Sequence, residues 1–126
     1  MFKRIDHIEI IPSNFETSLA FYSDILGFEA GERHEVNIPP LKEIVYLSLG
    51  DTTLELMRVD NPADPFTEDW QSGYRMMAIE VDNMDEAINF LNNKGVAITW
   101  GPMDLGGPKR AEIVDPDGLG IELRQW

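Results

Sequence analysis

The sequence predicts an α+β fold in which two tandem βαβββ modules form a cup-shaped mixed sheet with helices on its outer face. Two observations support this prediction. The element order strand, helix, strand, strand, strand is indicated twice along the chain. Each half also places one glutamate between apolar neighbours, Glu55 in LEL and Glu122 in IEL. A duplicated unit of this kind can cover one face of its sheet with a helix and leave the other face to line a cavity.

The first module is predicted to span residues 1–59. Residues 4–11 alternate in a way that predicts a strand with His7 and Glu9 on one face. A capping-box pattern, SNFE at residues 13–16, then starts a helix that Gly27 ends. Strands follow over residues 28–36, 43–49 and 52–58, with a break at residues 39–40 and a turn at residues 50–51. The helix carries apolar residues at helical spacing, namely Phe15, Leu19, Tyr22 and Leu26.

The second module is predicted to span residues 74–126, after a linker over residues 60–73 that is rich in proline and acids. A strand over residues 74–81 precedes a helix that Asp82 or Asn83 caps and that ends at residues 94–95. A short strand over residues 96–100 and a Gly-rich loop lead to a terminal hairpin with strands over residues 111–114 and 121–123. The two modules together are expected to form a single domain.

Corresponding positions in the two modules lie 67 to 69 residues apart along their whole length. This nearly constant offset between the two modules indicates a duplicated unit rather than a chance similarity. In the terminal strand Ile121 and Leu123 point to one face, so Glu122 is expected to point into the cup. The matched pairs are His7 with Met76, Phe15 with Met84, Leu19 with Ile88, Phe21 with Phe90, Gly27 with Gly95 and Glu55 with Glu122.

Composition excludes several classes of function. The formal net charge is −13, and the few Lys and Arg are scattered, which excludes nucleic acid and an anionic membrane surface as partners. A strongly anionic substrate would need a metal ion or a local arginine to receive it. Cysteine is absent, which excludes disulfides, thiolate ligands and a cysteine nucleophile. No signal-peptide pattern or membrane-spanning run is present, so a cytoplasmic location is expected.

Five motifs carry a resemblance to a known family. They are DHIEI at residues 6–10, SLAFYSDILGF at 18–28, LELM at 54–57, AIEVDNMDEAINFLNNKGV at 78–96 and DPDGLGIEL at 115–123. With these motifs the chain resembles the vicinal oxygen chelate superfamily, which includes glyoxalase I, methylmalonyl-CoA epimerase, extradiol dioxygenases, and the fosfomycin and bleomycin resistance proteins. The resemblance covers almost the whole chain. It is specific for the fold and less so for the reaction, because one scaffold hosts several chemistries.

The resemblance implies a divalent metal ion held in the cup by residues of the first and last strands of each half. His7, Glu55 and Glu122 match three of those positions. The fourth position, usually a histidine, is Met76 in GYRMMAIEV. A thioether is a soft ligand that suits such an ion poorly. One imidazole and two carboxylates with open positions still suit Ni, Zn, Mn, Fe or Co.

Other interpretations of these residues stay open. His7 could be a hydrogen-bonded core histidine, and Glu55 and Glu122 could be exposed acids on a sheet face. If both acids line a closed cup, a cation or a shared proton must stabilise them, because an unpaired buried charge is costly. Glu9 shares the face of His7 and could supply the missing ligand, although glutamate more commonly lies at a solvated rim.

The resemblance to glyoxalase I and the epimerases implies a metal-dependent lyase or isomerase that transfers a proton beside a carbonyl group, with Glu122 or Glu55 as the base. An apolar wall is expected from Tyr74, Met76, Met57 and Trp100. Arg110 and Lys109 are candidates to bind a substrate carboxylate, or are exposed loop cations.

The alternative function is a non-catalytic, drug-sequestering protein that resembles the bleomycin resistance proteins and binds a cationic or aromatic small molecule. Met76 and the negative charge favour it. Dioxygenase chemistry ranks lower, because the usual iron site of two histidines and one glutamate is not reproduced. A homodimer is expected from the resemblance alone.

Overall fold

The computed structural model describes residues 1–65 and 68–126. The chain forms two compact units, Met1–Asp64 and Pro65–Trp126, and the division between them lies inside the predicted linker. Each unit contains a four-stranded mixed sheet and a helix in the predicted order. The α+β fold with two tandem modules is therefore confirmed. The bounds 1–59 and 74–126 and the single-domain organisation stay predictions.

The first unit holds a sheet in the strand order β1-β4-β3-β2. Strand β1 runs parallel to β4, and the other neighbours are antiparallel. The elements are β1 (Ile8–Ile10), α1 (Phe15–Ala20), β2 (Glu29–Ile38), β3 (Leu41–Leu49) and β4 (Thr52–Val59). The first strand is shorter than predicted, since it begins at Ile8 and leaves His7 just before it.

Helix α1 begins at an asparagine cap. The Asn14 side chain accepts a hydrogen bond of 3.0 Å from the backbone N–H of Thr17. Asn14 rather than Ser13 is the N-cap, so Thr17, not Glu16, occupies the third helical position. The helix then widens into a π-helical turn over Phe21–Ile25, in which the Leu26 N–H donates to the Phe21 carbonyl at 3.1 Å. Gly27 ends the segment with a φ of +81°.

Aromatic and aliphatic side chains fill the core of the first unit. Tyr22 is fully buried and packs edge-to-face against Phe28, with 6.0 Å between ring centroids. Leu47 and Leu56 are also fully buried, on strands β3 and β4. Of the apolar stripe predicted for the helix, Phe15 and Tyr22 are buried, and Leu19 and Leu26 are half-buried.

An arginine network joins α1 to the strands. The Glu43 carboxylate on β3 is 5% exposed and contacts the Arg33 guanidinium, and it lies 3.1 Å from Nη2 of Arg58. Arg33 also reaches the Glu16 carboxylate of α1 at 2.5 Å and lies over the Phe15 ring at 5.1 Å. The hydrogen bond from Arg33 lowers the pKa of Glu43, and the charges of Arg33 and Arg58 add to that effect.

We expect Glu43→Gln to destabilise the protein by about 1–3 kcal/mol at neutral pH, since charge-assisted hydrogen bonds to a buried carboxylate are lost. A carboxyl group whose pKa is lower in the folded state than in the unfolded state stabilises the fold at pH values above its unfolded pKa. This stabilisation disappears as the pH falls through the folded pKa. The parent should therefore lose more stability on acidification than the variant. Urea unfolding at acidic and neutral pH measures the free energy of unfolding of the parent and the variant and its change with pH. The exposed change Glu29→Gln is the control. Equal pH slopes for parent and Glu43→Gln would contradict the prediction.

The second unit repeats the topology with the strand order β5-β8-β7-β6, again with the first and last strands parallel. Its elements are β5 (Met77–Glu80), α2 (Met84–Asn93), β6 (Trp100–Asp104), β7 (Lys109–Val114) and β8 (Gly120–Gln125). Asn83 caps α2, because its side chain accepts a hydrogen bond of 3.0 Å from the Glu86 N–H. The Gln125 side chain also accepts from the Met84 N–H at 2.7 Å, which fixes the helix to β8.

Two strand predictions need correction. The strand predicted over residues 96–100 lies at Trp100–Asp104, because the Val96 N–H bonds to the Leu91 carbonyl and continues the helix end. The first strand of this unit begins at Met77, so Tyr74 and Met76 precede it. Among the described residues, no helix has the length and apolar character needed to cross a lipid bilayer.

Candidate metal site and arginine cluster

The parallel pairing of β1 with β4 brings two glutamates together in the first unit. Glu9 lies opposite Glu55 in register, and Tyr46 of β3 lies opposite Glu55 from the other side. Side chains alternate along a strand, so Leu54 and Leu56 point into the core and Glu55 points to the other face. Two carboxylates side by side on neighbouring strands repel each other unless a positive charge lies between them.

His7 supplies a nitrogen at this point. Its Nε2 atom lies 3.1 Å from Oε2 of Glu55 and 3.6 Å from Oε1 of Glu9. One potential ligand atom from each of the three residues lies within 4.8 Å of the others. The Glu55 side chain is 7% exposed, whereas Glu9 lies at the rim with 58% exposed. The rings of His7 and Tyr46 pack nearly perpendicular to each other, with 5.8 Å between ring centroids.

The other nitrogen of His7 is held by a residue that the sequence analysis did not assign. Nδ1 of His7 lies 2.9 Å from Oδ2 of Asp6, and Arg4 binds the other oxygen of Asp6 at 3.2 Å. The hydrogen bond with Asp6 raises the pKa of His7 and lowers that of Asp6 itself. Asp6 thus orients the ring with Nε2 facing the two glutamates, as outer carboxylates do for metal-binding histidines. The strand pattern predicted for DHIEI gave no signal for this contact, because adjacent residues of a regular strand point to opposite faces.

The chemistry of these donors fits a divalent metal ion. With a proton on Nδ1, a neutral imidazole presents a lone pair at Nε2 toward two carboxylate oxygens, which is unfavourable. Either a second proton or a cation between these atoms removes the repulsion. One imidazole and two carboxylates are the donors that Mn, Fe, Co, Ni and Zn accept. His7, Glu55 and Glu9 therefore form a possible site for such an ion.

Glu122 lies in the second unit, on β8, and has different neighbours. It belongs to a cluster of two arginines and two glutamates on the paired strands β7 and β8, here called the Arg–Glu quartet: Arg110, Glu112, Glu122 and Arg124. Arg124 Nε lies 2.7 Å from Oε1 of Glu122, and Arg110 Nε lies 3.2 Å from Oε2. Arg110 Nη2 also contacts Glu112 at 2.5 Å. Both oxygens of Glu122 thus face guanidinium groups.

The residues predicted to line a substrate pocket lie in several places. Met76 precedes β5. A Cβ atom at Gly120 would lie 2.9 Å from the terminal methyl carbon of Met76. Because glycine has no side chain, Gly120 leaves room for the thioether of Met76. Tyr74 is fully exposed, contrary to its predicted place within a strand, and Trp100 is 39% exposed on β6. Met57 is half-buried on β4.

Arg110 and Lys109 belong to strand β7. The possibility that they are loop cations is therefore wrong. The structure thus brings His7, Glu9 and Glu55 together in one unit and Glu122 with Arg110 in the other, and the functional roles of these residues stay predictions.

Comparisons with known proteins agree with this architecture. The family model of the Glyoxalase/Bleomycin resistance protein/Dioxygenase superfamily matches residues 4–123. The crystal structure of the glyoxalase family protein from Enterococcus faecalis is 34% identical, with a TM-score of 0.79 and 98% of each chain covered.

Two enzymes are among the relatives. The mitochondrial methylmalonyl-CoA epimerase of Bos taurus is 30% identical over 97% of this chain and 74% of its own length. Lactoylglutathione lyase of Neisseria meningitidis is 30% identical over 97% of this chain and 90% of its own length. The predicted resemblance is thus confirmed, and the chain belongs to the Glyoxalase/Bleomycin resistance protein/Dioxygenase superfamily.

Proposed function

We propose that this protein is a glyoxalase-like, metal-dependent lyase or isomerase that transfers a proton beside a carbonyl group of a small, oxygen-chelating substrate. One observation carries the proposal: Nε2 of His7 faces the carboxylates of Glu55 and Glu9, while Asp6 holds Nδ1. The similarity to an epimerase and to a lyase supports the same class of reaction.

In this proposal His7, Glu55 and Glu9 hold one Ni, Zn, Mn, Fe or Co ion on the first unit. When bound, the ion polarises substrate oxygens and stabilises the negative charge that develops on them. The resemblance assigns Glu122 as a ligand as well. In the structure Glu122 faces two arginines, which supports Glu9 as the second carboxylate of the site on the first unit.

The residues of the chain have three tasks in this mechanism. Asp6 fixes the ring orientation of His7, and the pairing of β1 with β4 fixes Glu55 beside it. A carboxylate must also remove the proton and return it, and Glu55 and Glu122 are the predicted carriers. Glu55 is also a ligand in this proposal, so the Glu122→Gln variant separates the two assignments: glutamine keeps the shape and removes the basicity, and exchange that persists in the metal-loaded variant assigns the base to Glu55, whereas lost exchange assigns it to Glu122.

Proton exchange with solvent tests the proposed reaction. The metal-loaded chain is incubated in deuterated water with methylmalonyl-CoA, lactoylglutathione and other acyl thioesters, and proton NMR follows the signal beside each carbonyl group. We expect loss of that signal for at least one compound, and no loss with metal-free protein. Equal exchange with and without metal, or with Glu55→Gln and Glu122→Gln as with the parent, would contradict the mechanism.

A non-catalytic binding protein is the second candidate, and the second unit favours it. There the position that matches His7 is Met76, and the position that matches Glu55 is a carboxylate facing two arginines. Tight binding of a cationic or aromatic compound that persists after metal removal, without product, would support this candidate over the enzyme.

We expect Asp6→Asn to weaken binding of Ni or Zn by about 10–100-fold, the usual effect of losing the outer partner of a metal-binding histidine. Competition with a chromogenic chelator measures the affinity. Asp51→Asn, an exposed change in the turn between β3 and β4, is the control and should bind as the parent does. Unchanged affinity in Asp6→Asn would mean that Asp6 does not orient a ligand.

Homodimer formation and a cytoplasmic location stay predictions, as does the absence of nucleic-acid and membrane partners. Sedimentation equilibrium of the full chain tests the first of these. A single species of 14.3 kDa would contradict the expected dimer.

A further inference from the structure

The sheet face that carries the candidate metal site also carries a short apolar surface. Strand register pairs Ile44 on β3 with Met57 on β4, two residues beyond the pair formed by Tyr46 and Glu55. Side chains two residues apart along a strand share a face, so these four side chains lie on one side of the sheet. Tyr46, Ile44 and Met57 are here called the apolar strip.

The apolar strip lies on the side of the sheet that faces away from the core. The alternate residues of the same two strands point to the opposite face and are buried, namely Val45, Leu47, Leu54 and Leu56. The strip itself keeps contact with solvent, since Tyr46 is 41% exposed and Ile44 and Met57 are half-buried. A ligand that covers this surface removes apolar area from water, and this burial strengthens its binding.

The surroundings of Glu55 differ along the two directions of the strands. In one direction, the next pair on the same face is Ser48 with Thr53, which carries two hydroxyl groups. In the other direction, the next pair is Ile44 with Met57, which offers only apolar contacts. A group that extends from the candidate metal site along the strands therefore meets a polar surface on one side and an apolar surface on the other.

Tyr46 connects the apolar strip to the candidate metal site. It lies opposite Glu55 in register, and its ring packs against the His7 ring with 5.8 Å between ring centroids. Ile44 and Met57 lie two positions further along their strands, which is about 7 Å away. An aliphatic chain of about five carbons spans this distance. A substrate whose oxygens are held at the site therefore has an apolar surface of matching length beside it.

We propose that the substrate of the candidate metal site carries an aliphatic or aromatic substituent, which packs on Tyr46, Ile44 and Met57 beside the chelating oxygens. This inference rests on the proposed function, because the substituent extends from oxygens that are held at that site. The apolar strip then selects among oxygen-chelating compounds, and those with a longer apolar substituent bind more tightly than those with a single methyl group.

Two hydroxamic acids test the proposal, because such compounds chelate a divalent ion through two neighbouring oxygens. Isothermal titration calorimetry of the zinc-loaded, full-length chain compares acetohydroxamate with hexanohydroxamate. Their donor atoms are the same, so a difference in affinity reports the contacts of the alkyl chain. We expect hexanohydroxamate to bind at least about tenfold more tightly, since full burial of one methylene group gives about a fourfold gain.

The outcomes separate this inference from the proposed function. Equal affinity of the two compounds would overturn the role of the apolar strip and leave the metal site intact. If neither compound binds to the zinc-loaded chain, both proposals fail. Equal binding of hexanohydroxamate by metal-free protein would also overturn the inference, because chelation would then not hold the compound beside the strip.

Variants of the strip locate the contact. Met57→Gln keeps the length of the side chain and Ile44→Thr keeps its branching, and each should weaken hexanohydroxamate binding about threefold or more. Binding of acetohydroxamate should stay as in the parent, which also shows that each variant is folded and holds zinc. The control is Phe90→Gln, a change at a partly exposed aromatic residue of α2, and it should alter neither affinity.

Two results with these variants would overturn the proposal. One is a parent-like preference for hexanohydroxamate in both Met57→Gln and Ile44→Thr, or an equal loss in Phe90→Gln. The other comes from sedimentation equilibrium of the same proteins. If Met57→Gln dissociates a dimer of the parent and leaves the preference for hexanohydroxamate unchanged, the apolar strip is an interface between two copies of the chain.

Discussion

A His7→Ala variant is expected to lose tight binding of Ni, Zn and related ions. His7 supplies the single nitrogen of the proposed site, and its Nε2 atom is the point that both Glu55 and Glu9 approach. The loss should exceed the roughly 10–100-fold effect of removing an outer partner, since a ligand itself is removed. Metal content after dialysis, measured by inductively coupled plasma mass spectrometry, and competition titration report the effect.

The second histidine of the chain provides a matched control. His34 lies exposed on β2, and His34→Ala should keep the metal content and affinity of the parent. Metal ions should also raise the melting temperature of the parent and of His34→Ala, but not that of His7→Ala, because only a folded state that binds the ion is stabilised by it. An ion retained by His7→Ala, or lost equally from both variants, would show that the ion binds elsewhere.

The residues of the proposed metal site were only partly predictable. Alternation along a strand predicts that His7 and Glu9 share a face, and the structure brings them together although His7 lies just before β1. The same regular spacing could not identify Asp6, because adjacent residues of a regular strand point to opposite faces. Asp6 reaches Nδ1 of His7 since the chain there is not yet a strand.

The charges that surround Glu122 in the Arg–Glu quartet could not be predicted from the sequence of its own strand. Arg110 and Glu112 alternate along β7, and Glu122 and Arg124 alternate along β8. Whether like or opposite charges meet across the two strands depends on the register, which is set by the turn between them and by the buried Ala111, Ile113, Ile121 and Leu123. The pairing of β7 with β8 therefore determines which side chains surround Glu122.

The order of elements was predictable because its signals are local. Asn83 caps α2 through its own side chain, and the apolar stripe of that helix is visible in the sequence. The shifted position of β6 and the π-helical turn were not predictable. Both depend on backbone hydrogen bonds that the helix and strand propensities of the residues do not specify. Thr99 illustrates this point, because its N–H bonds to the Glu112 carbonyl one residue before β6 begins.

We expect Gly101→Ala to destabilise the protein by at least about 2 kcal/mol more than Gly95→Ala, an amount typical of an overpacked site. A Cβ atom at position 101 would lie 2.7 Å from the carbonyl oxygen of Arg110 and 3.2 Å from Cα of Ala111. These are backbone atoms, so the clash cannot be relieved by moving a side chain. Urea unfolding of both variants and the parent measures the difference.

Gly95 is a close control for backbone conformation. Its φ is +78° and that of Gly101 is +79°, so both variants carry a similar left-handed strain of about 1–2 kcal/mol. A Cβ atom at position 95 would meet no atom within 4 Å. The extra loss in Gly101→Ala therefore measures how closely β6 approaches β7. Equal loss of stability in the two variants would mean that β6 can move away from β7 at little cost.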